Sequence, residues 1–136
     1  MTDIRQVTPD FAVSPQMGPE DMPAVASQGF RLVINNRPDG EAPGQPTSIE
    51  MEQAVRAAGM DYVHIPVRGG PTPDQVDQQT AAVAAADGPV LAFCRSGTRS
   101  IVTWSIGQAL AGSQSRADLI TLGGAAGYDL SSVLPG

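Results

Sequence analysis

Pro89-Val90-Leu91-Ala92-Phe93 runs without a polar side chain into Cys94-Arg95-Ser96-Gly97-Thr98-Arg99-Ser100, and Ile101-Val102-Thr103-Trp104 follows at once. Such a short apolar run is what a strand buried on both faces of a parallel sheet requires. The segment from Thr98 to about Ala111 reads as a helix, so the loop joins the carboxyl end of a strand to a helix N-terminus. In an open α/β sheet, ligands bind at that end. Backbone N–H groups from Arg95 to Ser100, a tight turn at Gly97 and the helix dipole together predict an anion cradle. The same field favours a reactive thiolate at Cys94.

Upstream of this loop one pattern recurs: a capped helix, a glycine, then a β-rich run. Gly18-Pro19 opens a first helix with Glu20 and Asp21 in its first turn, and Gly29 closes it before the strand Phe30 to Asn35. Thr47 and Glu50 form a capping box for a second helix, which ends at Gly59 before the strand Met60 to Ile65. Thr72 and Gln75 do the same for a third, with Pro73 at its first position, stopping near Gly88. A last helix is expected from about Ser115 to Ala126, capped by the Ser115/Asp118 pair and weakened by Gly123 and Gly124. Residues Ile4 to Val13 are expected as a small β element on the sheet edge. Strands alternating with helices at this spacing predict βαβ units and a three-layer α/β fold, a small, mainly parallel sheet flanked by helices. The Pro/Gly-rich stretch from Asn35 to Thr47, NNRPDGEAPGQP, leaves the carboxyl end of a strand and is expected to wall the site.

A chain of 136 residues is expected to form one domain, residues 1–136. No apolar stretch has the length of a membrane span, and MTDIRQVTPD has no apolar signal region, so a cytoplasmic protein without membrane contact is expected. All eight basic residues are arginine, the net charge is −6 and the cations are not clustered, which argues against nucleic acid as partner. With one cysteine and one histidine, His64, multi-cysteine and most transition-metal sites are excluded, and no metal or organic cofactor is implied.

A lone cysteine at the end of a buried strand is ordinarily an inert small hydrophobe. Four features reverse that reading here: the strand-end position, Gly97, the hydroxyls of Ser96, Thr98 and Ser100, and Arg99 five residues after Cys94. CRSGTRS after an apolar strand resembles the active-site loops of two chemistries. Rhodanese-type sulfurtransferases carry a loop that starts with the cysteine and often begins Cys-Arg-x-Gly. Cysteine-dependent protein phosphatases carry a longer loop, in which an arginine and a hydroxyl residue follow the cysteine. Only four residues, Arg95 to Thr98, separate Cys94 from Arg99, one fewer than the phosphatase pattern has.

Through FAVSPQ, GFRLVINNRPDGE, HIPV, CRSGTRS and AGYDL, nearly the whole chain resembles a bacterial family, the phosphatase-like domains of beta-lactamase-hydrolase-like proteins. Members stand alone or are fused to a persulfide-oxidising domain, and their labels vary between phosphatase and sulfur transferase. The resemblance implies a dual-specificity-phosphatase-like fold, with VINNRPD beginning the site; a rhodanese-like fold is the alternative. It also implies a persulfide-oxidising enzyme as a partner.

Loop length bears on the choice of chemistry. A phosphoryl group presents several oxygens to a wide ring of N–H groups and a forked arginine, whereas a persulfide presents one terminal sulfur that a tighter ring can surround. Phosphatases of this kind also need a general acid. The stretch after HIPV, Arg68 to Pro73, holds no carboxylate, and Asp74 falls in a helix's first turn, where it balances the dipole. Asp39 is a second candidate acid, although Asp-Gly is also a turn signal. Thiosulfate releases sulfite, which needs no acid. The expected activity is therefore sulfur transfer from thiosulfate or a persulfide, through a persulfide on Cys94, to an acceptor thiol. In this reading the N–H groups of Arg95, Ser96, Gly97 and Thr98 hold the anion, Arg99 orients the donor and Ser100 hydrogen-bonds the thiolate. The alternative is a phosphoester hydrolase using the same Cys94 and Arg99, and beyond it lies a non-catalytic module that binds anions or partners. Arg37 and Arg68 are expected to add charge around the site, and His64 and Trp104 to serve structure.

Overall fold

In the computed structural model, which describes residues 3–134, five strands form one sheet in the order β1-β2-β5-β3-β4. The strands are β1 (Arg5–Thr8), β2 (Phe11–Ser14), β3 (Leu32–Asn35), β4 (Asp61–His64) and β5 (Val90–Phe93). All neighbours run parallel except β1, which pairs antiparallel with β2. The helices are α1 (Met22–Ser27), α2 (Ser48–Ala57), α3 (Pro73–Ala85), α4 (Thr98–Ala111) and α5 (Arg116–Ala125).

The expected three layers are present because β5 buries both of its faces. Leu91 and Phe93 pack with Met22, Val25, Met51 and Val55 of α1 and α2. Val90 and Ala92 join the opposite cluster, with Ile101, Trp104 and Leu119 of α4 and α5. Period-two alternation divides one apolar strand between two cores.

The opening segment differs from expectation. Ile4 to Val13 was expected at the edge of the sheet, but only β1 lies there; β2 is an interior strand that pairs along β5, Val13 beside Ala92. Every residue of β2 is buried, and Phe11 stacks on Trp104 with ring centroids 5.0 Å apart and planes 7° from parallel. Trp104 is thus core, as expected. The first helix also begins later than expected. A 3-10 turn covers Pro19–Asp21 and the α-helix starts at Met22, because Pro23 has no N–H to give and fits only a first turn.

The caps form as read. Thr47 Oγ1 accepts the Glu50 N–H at 3.1 Å while Glu50 accepts that of Thr47 at 2.9 Å, and Thr72 and Gln75 exchange bonds of 3.2 and 3.0 Å. Ser115 Oγ accepts from the N–H of Asp118. α5 passes through both glycines. A Cβ on Gly123 would lie 2.5 Å from Leu130 Cδ1, so that position has no side chain because another one packs against it. The carboxyl ends of β3, β4 and β5 lie side by side, Asn35 level with His64 and Phe93. The loops that leave from this edge, and the one that leaves the adjoining end of β2, where Ser14 is level with Phe93, build the site.

Candidate active site

Cys94 directly follows β5 and is buried. Its Sγ accepts a hydrogen bond from the Gly97 N–H at 3.1 Å. Gly97, the N-cap of α4, has φ +90°, a left-handed conformation that side-chain-bearing residues avoid. A Cβ there would also lie 2.2 Å from the Tyr128 hydroxyl and 3.3 Å from the Ser14 carbonyl oxygen. The loop is held from outside at two carbonyls: the Gln16 N–H donates to Arg95 at 3.2 Å, and the Tyr128 O–H donates to Ser96 at 2.8 Å. Within it, the Ser96 hydroxyl bonds that of Thr98 at 3.0 Å.

Arg99 stands in the first turn of α4 and meets the loop that follows β3. Its Nη1 and Nη2 donate to the two carboxylate oxygens of Glu41, each at 2.9 Å, and Nη1 also donates to the Val67 carbonyl at 2.9 Å. Arg37 Nε reaches Glu41 at 2.9 Å, and Arg37 Nη1 donates to the Gln16 side chain at 3.1 Å. Arg99, with Arg37 adding to its effect, holds the Glu41 carboxyl down at about 2 against the desolvation that opposes it. Glu41 in turn pushes the Arg99 guanidinium further into its charged range. Arg37, Glu41, Ala42, Pro43, Arg95 and Arg99 line a cavity of about 420 Å³. Three guanidinium groups against one carboxylate give this cavity a net positive lining in a protein of net charge −6.

The wall loop is fixed at its root. Asn35 Oδ1 accepts the Arg37 N–H at 2.9 Å, and its Nδ2 donates to the Tyr62 hydroxyl at 3.1 Å. Asn36 Nδ2 donates to the Ile65 carbonyl and to Gln79, whose own amide reaches the Ser100 carbonyl. Gln45 closes the loop on itself through the Pro38 carbonyl and the Glu41 N–H.

Of the residues singled out in the sequence, Cys94, Arg95, Ser96, Gly97, Thr98 and Arg99 lie together on the loop and the start of α4, and Arg37 joins them across the cavity. Others are corrected. The Ser100 hydroxyl makes no bond to Cys94: it is buried with no partner among the described residues, on the face of α4 turned into the core. Asp39 is not placed as an acid, because its carboxylate takes the Ser48 N–H at 2.8 Å, at the start of α2. Asp74 is exposed in the first turn of α3, and Arg68 is exposed too; neither lines the cavity. His64 has a structural place, with Nε2 within hydrogen-bond distance of the Arg37 carbonyl at 2.9 Å.

Glu41 and Tyr128 lie in stretches that carry the family resemblance, GFRLVINNRPDGE and AGYDL, but the sequence assigns neither a role. Glu41 follows Arg37 by four positions across an Asp-Gly turn, a spacing that allows an ion pair. Tyr128 carries no local signal of its contact with Ser96, 32 residues away.

Residues 3–111 match the family described as "Beta-lactamase hydrolase-like protein, phosphatase-like domain". The beta-lactamase hydrolase-like protein of Agrobacterium fabrum is 45% identical over 112 residues, 81% of this chain and 26% of that protein. Its namesake in Xylella fastidiosa is 36% identical over 121 residues, 88% of this chain and 28% of that protein. The chain thus spans about a quarter of the length of these curated relatives. A crystal structure of a candidate phosphatase from Neisseria meningitidis superposes with a TM-score of 0.84 at 30% identity, covering 95% of this chain and 92% of that one. The fold is dual-specificity-phosphatase-like.

Proposed function

The chain belongs to the phosphatase-like domain family of beta-lactamase hydrolase-like proteins, and from that premise we propose that it is a phosphoester hydrolase with Cys94 as nucleophile. The thiolate attacks phosphorus, the P–S bond forms as the P–O bond to the leaving group breaks, and the electron pair leaves with that oxygen. Water then cleaves the cysteinyl phosphate and releases inorganic phosphate. The observation that carries this reading is the Gly97 N–H aimed at Cys94 Sγ at 3.1 Å, on a loop whose neighbours Arg95 and Arg99 line a cationic cavity. N–H groups and a guanidinium fork are what an entering phosphoryl group needs to spread its charge. Glu41 is ionised at neutral pH and Asp39 is committed to α2, so neither is a proton donor to the leaving oxygen. Aryl monoesters, which leave without a proton, are therefore the substrates this site suits.

The four-residue spacing between Cys94 and Arg99 and the missing acid favour a second reading. In it Cys94 attacks the sulfane sulfur of thiosulfate, an S–S bond forms as sulfite departs, and an acceptor thiolate removes the sulfur.

One experiment separates the two. An aryl phosphate is supplied to the protein and to Cys94→Ser, and the intact mass of the protein is read after exposure to thiosulfate. Turnover that vanishes in Cys94→Ser supports hydrolysis, and a gain of one sulfur supports transfer. Neither response leaves an anion- or partner-binding module.

A further inference from the structure

The Ser96–Gly97 peptide is gripped from both sides. Its carbonyl accepts the Tyr128 O–H at 2.8 Å and its N–H donates to Cys94 Sγ at 3.1 Å. In a trans peptide the C=O and N–H vectors are antiparallel, so turning one outward turns the other inward, and the described residues contain no cis peptide. Gly97 itself has little preference between the two orientations, since glycine occupies positive and negative φ with similar ease. Reversed, the unit would put a carbonyl oxygen against the sulfur and leave the Tyr128 hydroxyl without its acceptor.

Tyr128 is itself held in place. It follows α5, where its N–H bonds the Gly123 carbonyl at 2.8 Å. The Arg5 guanidinium of β1 lies over its ring at 5.2 Å and donates to the Ala126 carbonyl at 3.3 Å. Its hydroxyl stands 2.2 Å from where a Cβ on Gly97 would be, so a side chain at 97 would push it aside.

We infer that Tyr128 is a positioning residue of the Cys94 loop, and that its hydroxyl selects the peptide orientation in which the Gly97 N–H faces the sulfur. The inference rests on the reading of Cys94 as nucleophile. It extends that reading to a residue outside the loop and C-terminal to residues 3–111.

The test is Tyr128→Phe, which keeps the ring against Gly97 and under Arg5 and removes only the donor. Cys94 is the single cysteine, so ultraviolet absorbance of the thiolate, blanked against Cys94→Ser, reports this one sulfur. Burial pushes the phenols of Tyr62 and Tyr128 up, which keeps their absorbance out of the range measured. The expected result is a titration displaced to higher pH, with the thiolate fraction at a fixed pH below the midpoint lower by about tenfold, the least that one hydrogen bond to a charged group is worth. Aryl phosphate turnover should fall by a similar factor with melting unchanged. A thiolate titration that stays in place overturns the inference, and so does a displacement accompanied by general loss of thermal stability. Survival of hydrolysis in Cys94→Ser overturns the functional reading instead and leaves the titration result standing.

Discussion

Glu41 and Arg99, 58 residues apart in the chain, meet in a two-pronged pair, each carboxylate oxygen 2.9 Å from a different guanidinium nitrogen. The pair spans the cavity that an anion would enter, and Arg37 shares the same carboxylate. Arg99 is thereby fixed in direction and partly neutralised. A carboxylate here both positions the guanidinium and competes for it.

Glu41→Gln should therefore tighten the binding of inorganic phosphate. Removing the negative charge leaves three arginines with no counter-ion in the cavity lining. A part-exposed ion pair is worth up to about 1 kcal/mol, which corresponds to about a fivefold lower dissociation constant. Calorimetric titration with phosphate reads this directly, and unchanged or weaker binding would show that Glu41 serves mainly to orient Arg99.

The same carboxylate should make part of the stability depend on pH. Its pKa falls from an ordinary 4.5 to about 2 in the folded chain, chiefly through Arg99. A group depressed in this way stabilises the fold above its unfolded value, and the contribution is lost as pH falls through the folded one. The melting-temperature difference between the parent and Glu41→Gln should be full above about pH 4.5 and close as pH approaches about 2. A difference that does not change over this range would remove Glu41 from the acid response.

If hydrolysis is the activity, the leaving group should dominate the rate. With no carboxyl among the described residues poised as acid, aryl phosphates should exceed alkyl phosphates by about 10²- to 10⁴-fold, the usual contribution of general acid catalysis. Asp39→Asn keeps an acceptor for the Ser48 N–H and should leave aryl turnover, and its pH profile, unaltered. A fall in alkyl phosphate turnover in that variant would restore Asp39 as the proton donor.

Local chemistry determined a great deal from the sequence alone. Thr47 with Glu50 and Thr72 with Gln75 begin helices where they stand, because capping depends on atoms three residues apart. Val90 to Phe93 is a strand buried on both faces for equally local reasons, and the Cys94–Arg99 segment leads from it into α4 as its composition implies. What escaped depends on neighbours distant in the chain. FAVS is as apolar beside an edge as inside a sheet, and only the parallel pairing with β5 made β2 an interior strand. Asp39 and Ser100 had suitable side chains for chemistry, yet packing gave one to the start of α2 and buried the other with no partner among the described residues. Glu41 on Arg99 and Tyr128 on Ser96 join positions 58 and 32 residues apart. Residue identity sets which groups can form such bonds, but folding alone brings them within the few ångströms at which hydrogen bonds and ion pairs act.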